Sequence, residues 1–97
     1  MKVREMKRNA YVIENFETQE VILQSYNSTV AILDRESGIV TLGRHWDYSV
    51  TTLKHVYQFL EEYSPSMPYA LCESRTKKRS IEKLIKHNYV FYDPELV

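Results

Sequence analysis

The sequence of 97 residues is poor in the residues that build several common kinds of site. It has one cysteine, Cys72, which excludes an internal disulfide and a zinc site made of several thiolates. No run of about 18 apolar residues is present, as a membrane span requires, and the basic start lacks the apolar segment of a signal peptide. We therefore expect a cytoplasmic protein that has no membrane partner.

A net charge of either sign is absent as well. Thirteen Lys and Arg residues balance thirteen Asp and Glu residues, so no field of the whole molecule favours nucleic acid or an anionic membrane. The length predicts a single domain, 1–97, that has one core and no second lobe. Residues 1–9 carry four basic side chains and few apolar ones, and we expect them to form a flexible arm.

The first half of the chain has the composition of β-strands. Strands are predicted at 11–16, 20–26 and 29–34, where β-branched and aromatic residues lie between polar breakers. The last two could also be one long bent strand. A polar loop ending in Gly38 then leads into an apolar run at 39–42, which predicts a hairpin.

The pattern becomes helical after residue 48. Five apolar residues recur at the spacing of one helix face, and three hydroxyl residues before or at its start can cap the first turn: Leu53, Val56, Tyr57, Phe59 and Leu60, and Ser49, Thr51 and Thr52. Pro65 and Pro68 end this helix. A second helix is predicted at 74–87, with Ser74 or Ser80 as its cap and Asn88 as its end, before a short strand at 89–92.

These elements predict an α+β fold. A small antiparallel meander of three to four strands packs on one central helix, and a second, basic helix and a short C-terminal strand complete the chain.

Two pieces of the chain carry a resemblance to a known family. Ser25-Tyr26-Asn27-Ser28-Thr29-Val30-Ala31 and Tyr48-Ser49-Val50-Thr51-Thr52-Leu53-Lys54-His55, followed by Phe59-Leu60, resemble short uncharacterised proteins from phages and other mobile elements. That family pairs a Ser-Tyr-x-Thr-x-Val-Ala strand with a Tyr-Ser-x-Thr-Thr-x-Lys-His helix start, and Ser28 stands where it tends to have Thr. The resemblance implies a mobile-element origin and a shared core of sheet and helix, and it implies no activity.

The second piece gives a set of candidate surface residues. If the signature marks a shared surface, its members are Tyr48, Ser49, Thr51, Thr52, Lys54 and His55. Lys54 and His55 lie off the apolar face of the predicted helix, so we expect them, together with Thr51, to be accessible.

His45, Asp47 and His55 raise the question of a metal site or acid–base chemistry. The two histidines are ten residues apart across the junction of loop and helix, and one carboxylate beside them leaves catalytic zinc without a third ligand. A packing role for Trp46 and Tyr48, with Asp47 or Ser49 at the helix start, is the simpler interpretation. The sequence therefore predicts no enzyme, no metal and no cofactor.

The strongest charge asymmetry lies in the second predicted helix. Its basic residues, set against Glu82, are Arg75, Lys77, Lys78, Arg79, Lys83 and Lys86. At about 100° per residue, Arg79, Lys83 and Lys86 share one flank, and such a row can follow a phosphate backbone. The alternative is a solvated helix face that acids elsewhere balance.

The sequence thus predicts a small non-enzymatic binding module of phage or mobile-element type that contacts nucleic acid through residues 75–87. The alternative is a protein-binding inhibitor or adaptor that acts on a host factor, such as a defence protein or one that handles nucleic acid. The oligomeric state is left open, a homodimer included.

Overall fold

Six β-strands form one sheet, and two α-helices pack on one of its faces, in the computed structural model, which describes residues 1–65 and 76–97. The elements in chain order are β1 (Lys2–Lys7), β2 (Ala10–Asn15), β3 (Glu20–Ser25), β4 (Ser28–Asp34), β5 (Val40–Gly43), α1 (Val50–Tyr63), α2 (Lys77–Lys86) and β6 (Phe91–Asp93). The predicted α+β class is confirmed. Cys72, Arg75 and the proposed cap Ser74 lie outside the described ranges.

The sheet has more strands than the sequence predicted. Its strand order follows the chain from β1 to β6, the first four pairings are antiparallel, and β6 lies parallel to β5. The meander therefore has five strands instead of three or four. The C-terminal strand joins the same sheet after the chain has passed through both helices.

The prediction of a flexible arm at residues 1–9 is wrong. β1 pairs with β2 from Lys2 to Lys7, and Arg4 donates to Glu62 at 2.6 Å and to the Tyr63 hydroxyl at 3.1 Å, at the end of α1. Backbone pairing holds this segment, and charged side chains are tolerated because β1 is an edge strand. The polar composition of β1 therefore suits an edge of the sheet.

The predicted hairpin is confirmed. β4 and β5 pair in register from Leu33 and Val40, and Gly38 has a φ of 74°, a left-handed conformation that costs glycine little. Gly43, at the end of β5, has a different role. A Cβ there would lie 2.6 Å from the backbone oxygen of Leu96 and 2.7 Å from that of Thr29, so only glycine lets these three backbone segments meet.

The caps fix where the helices begin. Ser49 accepts a hydrogen bond from the Thr52 amide, as predicted, and Thr76 accepts one from the Arg79 amide at 3.2 Å. Ser80 was wrong as a cap for α2, because it lies within the helix and its hydroxyl donates to the Thr76 carbonyl. Asn88, with a φ of 62°, follows the end of α2, as expected.

The core lies between the sheet and the two helices. Every second residue of the central strands points into it, and α1 adds Val56, Phe59 and Leu60 while α2 adds Ile81 and Leu84. The buried apolar strand residues are Ala10, Val12, Val21, Leu23, Val30, Ala31, Leu33, Val40 and Leu42. Within residues 1–65 and 76–97, neither helix has the length and hydrophobicity that a transmembrane helix requires.

Candidate functional site

The two pieces that carried the resemblance come together in space. The β3–β4 turn at 25–28 and Val30 form one side of a pocket of about 300 Å³, and His45, Tyr48 and Thr52 form the other. The pocket thus lies where the β3–β4 turn meets the N-terminus of α1. The sequence alone did not indicate this arrangement, because 14 residues or more lie between its two sides.

A buried polar cluster of Ser25, Thr52 and His55 lies beside this pocket. The Ser25 hydroxyl is 2.9 Å from Nδ1 of His55 and 3.2 Å from the Thr52 hydroxyl, which in turn accepts a hydrogen bond from Ser49. Each of the three side chains in the cluster is only 2% exposed. No buried side-chain nitrogen or oxygen in the described part of the chain lacks a hydrogen-bond partner, so the cluster meets the requirement that buried polar groups be paired.

The prediction that His55 is accessible is wrong, and so is the place given to Thr52 on a signature surface. The inward face of α1 follows residues 52, 55, 56, 59 and 60, so it includes two polar residues, while Leu53 and Tyr57 lie at its half-buried margin. Thr51, Lys54 and Tyr48 are exposed, as a surface requires, and Tyr48 is 77% exposed. The signature is thus divided between the core and the surface.

The pKa of His55 is lowered from its ordinary value of 6.5. Burial disfavours the charged imidazole most, the positive charge of Lys7 adds to this effect, and a hydrogen bond with the backbone of Arg8 partly opposes it. A ring that is neutral at physiological pH can accept a hydrogen bond from the Ser25 hydroxyl at Nδ1. Hydrogen bonds of this cluster therefore connect α1 to the β3–β4 hairpin and to the β1–β2 turn, and they do so without a buried charge.

We expect this histidine to make the protein less stable in mild acid. Above pH 6.5 the ring is neutral in the folded and the unfolded chain. Below pH 6.5, His55 binds a proton in the unfolded chain but stays neutral in the folded chain until the pH reaches its lowered pKa. The free energy of unfolding should therefore fall over this range, by at most about 1.4 kcal/mol per pH unit for one group. Urea melts between pH 5 and pH 8 measure this slope.

A His55→Gln variant should lose this part of the slope, and the exposed His87→Gln variant should keep it. Equal slopes in the wild type and the His55→Gln variant would show that His55 accepts a proton in the folded state as readily as in the unfolded chain.

The loop before α1 connects the pocket to the basic helix. Trp46 is buried in the core, as the packing interpretation predicted, whereas Tyr48 is exposed and lies edge-on to His45 at 6.0 Å between ring centres. Asp47 does not cap α1, because it pairs with Lys78 of α2 at 3.5 Å. No group of three or more His, Cys, Asp or Glu residues within 1–65 and 76–97 is arranged to hold a metal ion.

The basic residues of α2 are all exposed, and they divide into two groups. Lys78 bonds to Asp47, and Lys77 lies over the Tyr57 ring at 5.2 Å from its centre. Arg79, Lys83 and Lys86 instead line one shallow depression together with Glu82. The structure thus brings together the three residues that helical spacing had placed on one flank.

Comparison with known families gives a match over most of the chain. The model of DUF8033, a family of unknown function, matches residues 1–83. No curated protein and no solved structure matches the chain. The family description does not mention phages or mobile elements, and that origin stays a prediction.

Proposed function

Because the chain belongs to DUF8033, a family of unknown function, we propose its function from its own surface: a non-enzymatic binding module, of phage or mobile-element type, that contacts nucleic acid through α2. The observation that carries the proposal is the exposed row of Arg79, Lys83 and Lys86 along one flank of that helix. Cations spaced along a helix can each neutralise a phosphate of a nucleic-acid backbone and release its counterions.

The distribution of charge supports a contact with nucleic acid through α2. The net charge is zero, but α2 carries five basic side chains and one acidic one. The charged strand residues on the sheet face that the helices leave uncovered are acidic: Glu5, Glu20, Asp34 and Asp93. A local field of one sign can steer a polyanion even when the molecule as a whole is neutral. We therefore expect nucleic acid to approach the molecule at α2 and not at the uncovered sheet face.

The polar cluster beside the pocket favours a structural role over catalysis. Ser25 and His55 are as close as a nucleophile and its general base. A general base must become positively charged, however, and burial and the Lys7 charge both oppose that charge on His55. The non-enzymatic part of the proposal rests on this opposition.

The salt dependence of binding tests the proposal. If Arg79 and Lys86 contact phosphates, log affinity should fall linearly with log salt concentration, and the Arg79→Gln/Lys86→Gln double variant should flatten that slope by about 1.4 to 1.8 units. Fluorescence anisotropy with labelled single-stranded and duplex DNA across a salt series measures the slope. The thermal midpoint should hardly change, because exposed charges contribute little to folding.

The matched control is the Lys2→Gln/Lys54→Gln double variant, which loses the same charge from exposed positions of β1 and α1. Its slope should equal that of the wild type. Equal flattening in both variants would show that only net charge matters, and no binding at low salt would remove nucleic acid as the partner.

The alternative, a protein-binding inhibitor or adaptor, depends on another part of the molecule. Its support comes from the uncovered face of the sheet, which does not overlap the flank of α2.

A further inference from the structure

One face of the sheet, here called the outer face, has no helix against it among the described elements. Strand side chains alternate between the two faces, and the buried ones point towards α1 and α2. On the outer face, the strand register aligns one residue from each strand in a single row across the sheet. The row is Val3, Ile13, Ile22, Ile32, Thr41 and Phe91.

This row is apolar at five of its six positions. Val3 is 59% exposed and Phe91 is 44% exposed at its two ends, and the three isoleucines between them are half-buried. An antiparallel sheet with one face in water usually carries polar residues on that face. An apolar row across the sheet that only Thr41 interrupts is therefore the pattern of a surface that another molecule covers.

The charged side chains that strand alternation places on the outer face are acidic. Glu5, Glu20 and Asp34 alternate onto the outer face, and Asp93 lines a depression of about 320 Å³ there with Glu20, Asp34 and Ile32. The basic Arg4 of the edge strand turns to the other side, where it bonds to Glu62 of α1. The outer face thus combines an apolar row with an acidic border.

These charges select the kind of partner. Two copies of the chain that met through their outer faces would bring acidic borders together, and a nucleic-acid backbone would be repelled, since like charges across an interface weaken binding. Lysine and arginine side chains complement the border, and apolar side chains complement the row. We infer that the outer face binds a protein segment in which apolar residues are flanked by Lys or Arg.

This surface is separate from the nucleic-acid contact proposed for α2, and either can hold without the other. The full chain, immobilised, is exposed to a random-peptide library displayed on yeast. The enriched peptides should contain apolar residues flanked by Lys or Arg. They should bind the Ile22→Lys variant and the Glu5→Lys/Glu20→Lys variant at least about tenfold more weakly than the wild type.

The matched control is Val50→Lys, which places the same charge on an apolar residue that is 69% exposed on α1 and lies off the sheet. It should bind the peptides as the wild type does. The Glu5→Lys/Glu20→Lys variant changes no core side chain, so it tests the border even if Ile22→Lys folds poorly. All variants should keep the salt slope for nucleic acid if α2 binds it.

Three outcomes would overturn the inference. The first is that the enriched peptides are acidic or lack basic residues, and the second is that no peptide is enriched. The third is that the enriched peptides bind the Glu5→Lys/Glu20→Lys variant as tightly as they bind the wild type. Sedimentation of the full chain gives one more: a dimer that Ile22→Lys dissociates would mean that a second copy covers this face.

Discussion

Truncating Leu60 to alanine should lower the free energy of unfolding by about 2 to 5 kcal/mol, as it does for other buried leucines. Leu60 has no exposed surface and lies in the core between α1 and the sheet. The cavity left by the lost methyl groups would be lined by packed residues that close it only in part. Urea unfolding followed by circular dichroism measures the change.

Two further variants on α1 make the test specific to its orientation. Lys54→Ala, at an exposed position, should change stability little. Leu53→Ala should fall between the two, because Leu53 is half-buried at the margin of the inward face. If Lys54→Ala proved as damaging as Leu60→Ala, α1 would face the sheet with a different side.

The orientation of α1 shows how far the sequence can predict a helix. Apolar spacing identified Val56, Phe59 and Leu60 correctly, because buried side chains at i, i+3 and i+4 are the signal of an inward face. It could not identify Thr52 and His55 as part of that face. A polar side chain is usually buried only where it has a hydrogen-bond partner. The partner of both residues, Ser25, belongs to β3, which is distant in the sequence.

A signal for Ser25 was nevertheless present. Val21 and Leu23 are inward residues of β3, and the alternation of a strand places Ser25 on the same side. Where every second residue of a strand is apolar and a serine takes the last such position, the pattern predicts a buried hydroxyl that requires a hydrogen-bond partner. The identity of that partner depends on how α1 crosses the sheet, and only tertiary structure shows this.

Replacing Gly43 with alanine should also destabilise the protein strongly, by about 1 to 3 kcal/mol. The added methyl group would lie 2.6 and 2.7 Å from two backbone oxygens, and backbone cannot rotate away as a side chain can. The C-terminal segment, which Arg44 binds through the carbonyls of Leu96 and Pro94, would be displaced. Chemical unfolding gives the loss of stability, and amide hydrogen exchange at residues 44 and 96 shows where it acts.

Gly38→Asn serves as the control, because Asn tolerates a left-handed conformation and nothing lies within 4 Å of a Cβ at that position. It should be nearly neutral. A neutral Gly43→Ala variant would mean that the C-terminal segment is held much more loosely than its hydrogen bonds indicate.

The edges of the sheet were harder to predict than its centre. β1 has mostly exposed side chains, so hydrophobic patterning gave no sign of it. A short C-terminal strand was predicted at 89–92 and lies at Phe91–Asp93, but its pairing with β5 depends on how the chain returns after α2. Both edge strands are held by hydrogen bonds between backbone groups. Such bonds leave no pattern of side chains from which the pairing could be predicted.

The parallel pairing of β6 with β5 has a consequence for the order of folding. Each pairing from β1 to β5 joins strands that are adjacent in the chain, so each closes a short loop. The β5–β6 pairing must instead close a loop that spans residues 44–90 and contains both helices. Contacts between distant parts of a chain form slowly, because the entropy of the loop is lost before the contact stabilises it. We therefore expect the five-strand meander to form first, leaving β5 as an open edge that can pair with another nascent chain until β6 arrives.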